Sequence, residues 1–463
     1  MSRPNKLVIL CDGTWCGKET KTKSNIHLLA QKFGDMGDIN EGDRFHDLVS
    51  TRGLKARYFT GLGLGGAFQN YIFDGATATS IGDKCKDVYQ YIVEKYDDTH
   101  EIWMFGLSRG AFTIRCVAGM INNCGIIKRE KGEPALLSKM AYQTYRSPYD
   151  EDAPSSRRMK RFRENASWNV KTPIKFMGLL DTVGSVGFPQ LIGGVGLEWT
   201  KFHDQKVSSA VEKVYHALSM HDRLWCFEPC LALRDQKHSD NPSLKIYQKW
   251  FPGAHYDLAR QEFRFLRDRD LPLIAGLVSN EIQPNIVLSS LVLEWMLKSM
   301  EEVDPSIIPG IQANIDAETK SIRAGRHLGS GDIYDRILDY APFGRIISPV
   351  AKFGERLLAK VDEAVPQFEF SSHVEAMEET IETPLLIKPI KELLLALTDR
   401  RIPDPGAEVY DYRIPEGRLG GRSVYELANM GRYKSKTLEI FELYRLISPP
   451  GGVEEEARQD PPS

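Results

Sequence analysis

Three features are scarce or missing in this sequence of 463 residues, and each absence excludes a class of protein. There is no excess of basic residues: the formal net charge is −3, which argues against a general nucleic-acid binder. No stretch approaches the roughly 18 uncharged apolar residues of a membrane span, and the apolar run Leu7 to Cys11 is too short for the core of a signal peptide. We therefore expect a soluble, cytoplasmic protein.

The cysteines form no pattern that indicates disulfides or a metal. There are seven, an odd number, and none lies in a C-x-x-C pair, so reduced thiols fit better than a disulfide framework. Cys226 and Cys230 are separated by three residues and lack a second ligand pair, so a zinc site is not expected. The sequence calls for no metal and no organic cofactor.

What the sequence does contain is a G-x-S-x-G motif in a strand-turn-helix context. The apolar segment Ile102 to Phe105 leads into Gly106-Leu107-Ser108-Arg109-Gly110, and a helix-like run from Ala111 to Ala118 follows. A serine at such a turn projects its hydroxyl from the carboxyl edge of a sheet, and flanking glycines avoid the clash that a Cβ would cause. We predict Ser108 as a catalytic nucleophile.

The first predicted strand, Lys6 to Cys11, ends in an Asp-Gly-Thr turn. If this turn lies beside the nucleophile, the backbone N–H groups of Gly13 and Thr14 can help to hold an oxyanion, together with the N–H of Arg109. A plain Asp-Gly turn is the alternative. A haloacid dehalogenase phosphatase is not favoured, because Leu10 occupies the position of the nucleophilic aspartate in that motif.

Two further polar residues follow predicted strands, of which the first is predicted to be buried. Ile174 to Leu180 stops at Asp181, and Leu244 to Phe251 breaks at a Pro-Gly turn before His255. A carboxylate at a strand end can accept the Nδ1–H of a histidine, and a histidine just past a strand can reach a serine hydroxyl. The order Ser108, Asp181, His255 is that of α/β-hydrolases and not of the two common serine protease folds.

Other histidines are weaker candidates for the base. His203 follows a glycine-rich loop and is the second choice. His216 and His221 lie in a segment with helical spacing, so they are expected to pack on or cap a helix. Asp257 is too close to His255 in sequence to act across the sheet, although it can orient groups locally.

A glycine-rich segment after the second predicted strand contains G-x-G-x-x-G. Gly61 to Gly66 follows Lys55 to Thr60, but no clear helix start comes next and the nearest suitable acid, Asp83, begins a helix instead of ending a strand. A flexible loop over the substrate pocket is therefore favoured. Dinucleotide binding is kept as an alternative.

The remainder of the chain indicates a cap and a helical extension. Lys128 to Lys171 is charged and helix-prone, with a basic run at Arg157 to Arg163 that suits either a solvated helix face or anionic head groups. An apolar helix, Val287 to Met300, closes the core. Amphipathic stretches at Arg345 to Val361 and Leu385 to Leu397 are expected to pack on the parent domain, with peripheral membrane contact as the alternative. The predicted organisation is a catalytic domain at 1–300 with a cap-like insertion at 128–172, a helical extension at 301–447 and a disordered tail at 448–463.

Six segments, taken in order, resemble a known family. They are LVILCDGTW, YFTGLG, FGLSRGAFTIRCVAGMI, LLDTVGSVG, HALSMHDRLWCFEP and WFPGAHYD. Together they resemble a family of uncharacterised α/β-hydrolase domains of fungi and bacteria, whose best understood members are type VI secretion phospholipase effectors. The resemblance spans roughly the first 300 residues.

The resemblance implies an α/β-hydrolase fold, with a mostly parallel sheet flanked by helices, and a triad at Ser108, Asp181 and His255. It implies a serine esterase acting on a carboxylic ester, with a lipid or phospholipid as a substrate class. One departure favours another class: the family continues after the histidine with aspartate, a small residue and glycines, whereas this chain has Leu258-Ala259-Arg260 after Asp257. A catalytically silent hydrolase fold that serves as a binding or scaffold protein is therefore the alternative.

Overall fold

The computed structural model describes residues 4–13, 22–38, 43–50, 54–61, 76–183, 206–223, 228–234, 243–264, 281–325, 332 and 399–447. Several predicted features lie outside these residues: Thr14, the glycine-rich loop beyond Gly61, His203, Cys226, the two amphipathic stretches and the tail from residue 448.

The described strands form one large sheet and one small pair. The strands are β1 Asn5–Cys11, β2 Phe45–Leu48, β3 Lys55–Phe59, β4 His100–Leu107, β5 Ile174–Leu180, β6 Val211–Ser219, β7 Lys245–Phe251, β8 Phe263–Arg264, β9 Glu281–Ile282 and β10 Glu408–Val409. Eight of them form a sheet in the order β10-β7-β6-β5-β4-β1-β3-β2, in which only β2 is antiparallel to its neighbour. Strands β8 and β9 pair with each other.

Helices cover both faces of the large sheet. They are α1 Asn25–Phe33, α2 Ala76–Lys95, α3 Arg109–Cys124, α4 Pro134–Tyr145, α5 Arg157–Ala166, α6 His255–Ala259, α7 Ile286–Val303, α8 Ile311–Ala324, α9 Val424–Leu427 and α10 Thr437–Ile447. Among the described helices none is both long enough and apolar enough to cross a bilayer.

The strands of the sheet centre are buried on both faces, which explains their continuous apolar runs. Along β1, Leu7 and Ile9 belong to a cluster with the residues of α2 and α3, whereas Val8 and Leu10 belong to a cluster with α1 and α7. This alternation is the two-residue period of a strand between two helix layers. The layered, mostly parallel sheet confirms the predicted α/β-hydrolase-like fold class.

One secondary-structure prediction was wrong. Val211–Ser219, which was interpreted as a helix on its apolar spacing, is strand β6 in the middle of the sheet. Val214 pairs with Met177 of β5 on one side and Ile246 of β7 on the other. Because apolar residues on a fully buried strand need not alternate, their spacing can imitate a helical face, and pairing with both neighbours decides the outcome.

Two regions outside the central strands bear on the predicted domain division. In the insertion between α3 and β5, helix α4 packs against α2 and α3, in the helix layer on one face of the sheet. In the C-terminal region, Glu408–Val409 pairs with Lys249 and Trp250 and so adds an edge strand to the sheet. The division into a catalytic domain, a cap and an extension remains a prediction.

Candidate active site

Ser108 occupies a sharp turn between β4 and α3. Its backbone has φ 54° and ψ −121°, a conformation that residues with a Cβ adopt at an energetic cost. Its N–H donates to the carbonyl of Leu180 at 2.9 Å, and its own carbonyl accepts the N–H of Phe112 at 3.1 Å. The neighbouring strand and the first turn of α3 therefore fix this strained backbone from both sides.

The two glycines of the motif are required by close backbone packing. A Cβ at Gly110 would lie 2.3 Å from the carbonyl oxygen of Cys11 and 2.6 Å from that of Asp12. A Cβ at Gly106 would lie 2.5 Å from the Cα of Ala111. The start of α3 thus rests directly on the end of β1, which brings the turn after β1 to the same edge of the sheet as Ser108.

Asp181 follows the strand next to the one that carries Ser108. Leu107 and Leu180 pair in the parallel register of β4 and β5, so the two polar residues leave the sheet side by side. Asp181 also has a positive φ, 41°, and is fully buried. Its carboxylate accepts the backbone N–H of Ser219 at 2.9 Å and the Ser219 hydroxyl at 3.2 Å.

His255 contacts Asp181 directly. Its Nδ1 donates to Asp181 Oδ2 at 2.6 Å, and both side chains are buried. The histidine is the first residue of the short helix α6, and not a loop residue as its Pro-Gly context indicated. Its backbone N–H donates to the Asp222 carboxylate at 2.9 Å. A proton held on Nδ1 by a carboxylate leaves Nε2 as the basic nitrogen of the neutral ring.

A residue that the sequence did not indicate completes the surroundings of Asp181. The guanidinium of Arg400 donates to Oδ1 at 2.8 Å and to Oδ2 at 3.0 Å, and it also donates to the carbonyl of Ser219 at 2.8 Å. Burial alone would raise the pKa of Asp181, but the charge of Arg400 and the hydrogen bond from His255 outweigh it and hold the pKa well below its ordinary value. Asp181 is therefore a carboxylate.

The turn that carries His255 is held by a second buried aspartate. Asp257 accepts the backbone N–H groups of Ala254 and Asn285 at 3.0 and 2.9 Å, and the hydroxyl of Tyr433 at 2.9 Å. Burial raises the pKa of Asp257 to about 7, although these three donors oppose the rise. Asp257 thus orients the turn locally, as expected, with a partner from the C-terminal region that the sequence did not reveal.

The two histidines expected on a helix instead fix neighbouring backbone groups. His216, on β6, accepts the N–H of Thr182 through Nε2 at 3.2 Å, while its Nδ1 contacts Gln248 Oε1 at 3.2 Å. His221 accepts the N–H of Gly253 through Nδ1 at 3.0 Å. Burial lowers the pKa of each to about 3, so both rings stay neutral and serve as hydrogen-bond partners.

The predicted oxyanion donors have different surroundings. The N–H of Gly13 donates to Asp12 Oδ1 at 2.8 Å, and Asp12 Oδ2 accepts the hydroxyls of Ser24 and Tyr58, both at 2.6 Å. Arg109 is the first residue of α3 and is buried. A side chain thus already contacts the Gly13 donor. Arg109 lies at the N-terminus of α3.

The altered segment after His255 has a distinct backbone. Arg260 ends α6 with φ 56° and ψ 45°, in the left-handed region. Glycine adopts this conformation at the lowest cost. The arginine of this chain therefore adopts its backbone conformation at a higher cost than a glycine would at the same position.

Among the described residues, no group of three or more His, Cys, Asp or Glu side chains converges in a way that could hold a metal ion. Asp181 and His255, which follow β5 and β7, instead form a hydrogen-bonded pair that suits proton transfer.

One curated relative and two solved structures show what the chain is similar to. An uncharacterised protein of Saccharomyces cerevisiae, YEL023C, is 30% identical over 168 residues, which cover 34% of this chain and only 23% of the yeast protein. A structure of the Tle1 effector bound to the VgrG spike of the type 6 secretion system shares 14% identity, covering 71% of this chain and 81% of that chain, with a TM-score of 0.32. An uncharacterised protein of Pseudomonas aeruginosa shares 13% identity, covering 85% of this chain and 62% of that chain, also with a TM-score of 0.32.

A family match covers more of the chain than the match to the yeast protein does. Residues 5–299 match the family described as the type VI secretion phospholipase effector Tle1-like catalytic domain. This span holds all the predicted site residues, and the match confirms the resemblance drawn from the six sequence segments. The chain belongs to the Tle1-like phospholipase effector family through this catalytic domain.

Proposed function

We propose that this protein is a serine hydrolase that cleaves carboxylic esters, with a lipid or phospholipid as its class of substrate. The observation that carries the proposal is the 2.6 Å hydrogen bond between His255 Nδ1 and Asp181 Oδ2, next to the strained turn of Ser108. Membership of a phospholipase effector family supports the lipid class. No metal or organic cofactor enters the proposed reaction.

In this mechanism the Ser108 hydroxyl attacks the ester carbonyl carbon while His255 Nε2 takes the hydroxyl proton. Asp181 keeps the Nδ1 proton in place and stabilises the imidazolium that forms. The proton then passes to the departing alcohol, which leaves an acyl-enzyme. Water attacks this intermediate by the same proton transfers, releases the carboxylic acid and restores the serine.

The tetrahedral intermediate needs hydrogen-bond donors for its negative oxygen. We assign the first to the backbone N–H of Arg109, because it follows the nucleophile and starts helix α3. The turn at Gly13 and Thr14 is the proposed second donor, and Gly13 must exchange its contact with the Asp12 carboxylate to serve in this way. Loss of one such donor typically lowers the rate about 10²- to 10³-fold.

A fluorophosphonate probe tests the nucleophile directly. The wild type should be labelled on Ser108, and Ser108→Ala should not be labelled. Ser299→Ala is the matched control, because Ser299 is also buried but its hydroxyl donates to Trp295 within helix α7. Equal labelling of the wild type and Ser108→Ala would contradict the proposal.

Substrate class is tested separately with p-nitrophenyl esters of increasing chain length and with phosphatidylcholine vesicles. We expect turnover that is lost in His255→Ala, and release of fatty acid from the vesicles. The alternative function, a silent scaffold, is suggested by the altered segment at Arg260 and predicts that the wild type hydrolyses none of these substrates.

A further inference from the structure

Arg400 lies outside the region that matches the catalytic family, yet it contacts the centre of the candidate site. The family match ends at residue 299, and Arg400 is 219 residues from Asp181 in the chain. Its two terminal nitrogens donate to the two oxygens of the Asp181 carboxylate, in the parallel arrangement that makes arginine-carboxylate pairs strong and directional. The arginine side chain is 4% exposed.

With this contact, both oxygens of the Asp181 carboxylate accept at least two hydrogen bonds. Besides the two bonds from Arg400, the carboxylate accepts the N–H and hydroxyl of Ser219 and the Nδ1–H of His255. A carboxylate with this many fixed donors cannot rotate, so the direction of its bond to His255 is set by Arg400 and Ser219. The imidazole in turn takes its orientation from the carboxylate.

The contact also sets the local charge. Asp181 and Arg400 are both buried and form a neutral pair, so the Asp181 carboxylate compensates a proton added to His255 less than it would without Arg400. Without the guanidinium, the carboxylate would stand unpaired beside the ring and would favour the imidazolium. Arg400 therefore opposes protonation of the general base.

The other ionisable groups near the histidine do not replace this effect. Asp222 accepts the backbone N–H of His255, Asp257 accepts that of Ala254, and His221 accepts that of Gly253. Each of these groups binds the backbone of the turn. Within the described part of the chain, Arg400 is the cation that pairs with the carboxylate on which the imidazole rests.

The segment that carries Arg400 is attached to the sheet. Strand β10 pairs with β7, and Asn285 Nδ2 donates to the carbonyl of Ala428 at 2.8 Å. Tyr433 donates to Asp257 in the turn of His255. The contact of Arg400 thus belongs to a packed interface that spans the sheet edge and the histidine turn.

We propose that Arg400 is a positioning residue of the active site, contributed from beyond the family's catalytic domain, which fixes the Asp181 carboxylate and keeps His255 available as a base. This inference rests on the proposed function for its catalytic consequence. It also has a consequence that does not require turnover, because the hydrogen bond between Asp181 and His255 can be observed directly.

The experiment compares the full-length wild type with Arg400→Gln, Arg400→Lys and the control Arg401→Gln. Arg401 is the exposed neighbouring residue, so its replacement removes the same charge without touching Asp181. The dependence of kcat/KM on pH is measured with a soluble p-nitrophenyl ester. The low-field proton resonance of His255 Nδ1–H is followed by NMR over the same pH range, with circular dichroism to confirm folding.

In Arg400→Gln we expect the acid limb of kcat/KM to move to higher pH by about one unit or more, since a charge within a few ångströms typically has an effect of this size. At a pH below the acid limbs of both proteins, a shift of one unit lowers kcat/KM of Arg400→Gln about tenfold relative to the wild type. At alkaline pH the activity of the variant recovers. Arg400→Lys keeps the charge but loses the paired geometry, so it should lower kcat/KM while leaving the limb near its original pH. Arg401→Gln should match the wild type.

An acid limb of kcat/KM at the wild-type pH in Arg400→Gln would overturn the inference. If Arg400→Gln does not fold, Arg400→Lys decides alone, because a kcat/KM equal to that of the wild type would show that the paired geometry is not needed. A wild type that neither hydrolyses esters nor reacts with fluorophosphonate would instead contradict the proposed function. In that case the NMR titration still tests Arg400: the Nδ1 proton signal should titrate at higher pH in Arg400→Gln, and an unchanged titration would overturn the inference.

Discussion

The backbone N–H of Ser108 donates to the carbonyl oxygen of Leu180, the residue immediately before Asp181. The turn of the predicted nucleophile is therefore anchored on the strand of the predicted acid. Both Ser108 and Asp181 have positive φ, 54° and 41°, at the carboxyl ends of adjacent parallel strands. Such strain persists only where the surroundings enforce it, as the glycine contacts with β1 do here.

The strain at Ser108 predicts opposite effects on stability and activity. Ser108→Gly should raise the free energy of unfolding by about 1–2 kcal/mol relative to Ser108→Ala, because glycine adopts the turn at little cost. Both variants should lose ester hydrolysis. Urea unfolding measures the difference, and a Ser108→Gly protein no more stable than Ser108→Ala would show that the turn is not strained.

The contact of Gly110 with β1 predicts a large effect from one methyl group. In Gly110→Ala the new Cβ would meet the Cys11 carbonyl at 2.3 Å, and backbone atoms on both sides would have to move. We expect the free energy of unfolding to fall by about 3 kcal/mol or more. Gly417→Ala is the matched control, since nothing lies within 4 Å of its Cβ position, and it should change stability by no more than about 0.5 kcal/mol. Similar urea midpoints for the two variants would contradict the packing described here.

The buried neutral His216 predicts a loss of stability in acid. Its pKa is lowered to about 3 in the folded protein, so below its ordinary value of 6.5 only the unfolded chain takes up the proton. This contribution is fully present above pH 6.5 and is lost as the pH falls towards 3. Between pH 7.5 and 5, the stability of the wild type relative to His216→Gln should fall by about 2 kcal/mol. A difference that is constant with pH would mean that the ring takes up its proton as readily in the folded protein as in the unfolded chain.

The hydrogen bond from Tyr433 to Asp257 predicts that removal of the tyrosine hydroxyl destabilises the protein more at high pH than at low pH. The pKa of Asp257 is raised to about 7 in the folded protein. The folded protein therefore holds the protonated form at low pH, and the stability that this form contributes is lost as the pH rises through 7. The tyrosine hydroxyl stabilises the ionised form. Tyr433→Phe should therefore cost about 1 kcal/mol at pH 5.5 and more at pH 8.5, where the bond is to a charged group. The exposed Tyr444→Phe serves as the control, and an equal cost at both pH values would contradict the assignment.

The parts of the site that local sequence could predict are those with a local cause. The turn around Ser108 requires glycines at fixed positions, and the strand before Asp181 is a largely apolar run because both of its faces are buried. These constraints act over a few residues and leave a pattern. The parallel register that aligns Leu107 with Leu180 then follows from the fold class.

The parts that could not be predicted depend on distant partners. The spacing around His216 and His221 fits a helix as well as a buried strand, and only pairing with β5 and β7 separates the two. Arg400 lies in no recognisable motif, and its function depends on a carboxylate that is remote in sequence. The contribution of Tyr433 could not be predicted for the same reason, because its partner Asp257 is 176 residues away.

The separation of Asp181 and Arg400 has a consequence for protein synthesis. At about 5–20 residues per second, a ribosome needs roughly 10 to 45 s to add the 219 residues between them. During that interval the serine, the aspartate and later the histidine have left the ribosome, but the guanidinium has not. In a nascent chain the Asp181 carboxylate therefore has, of its partners among the described residues, only Ser219 and His255 until Arg400 has been added, 219 residues after the carboxylate itself.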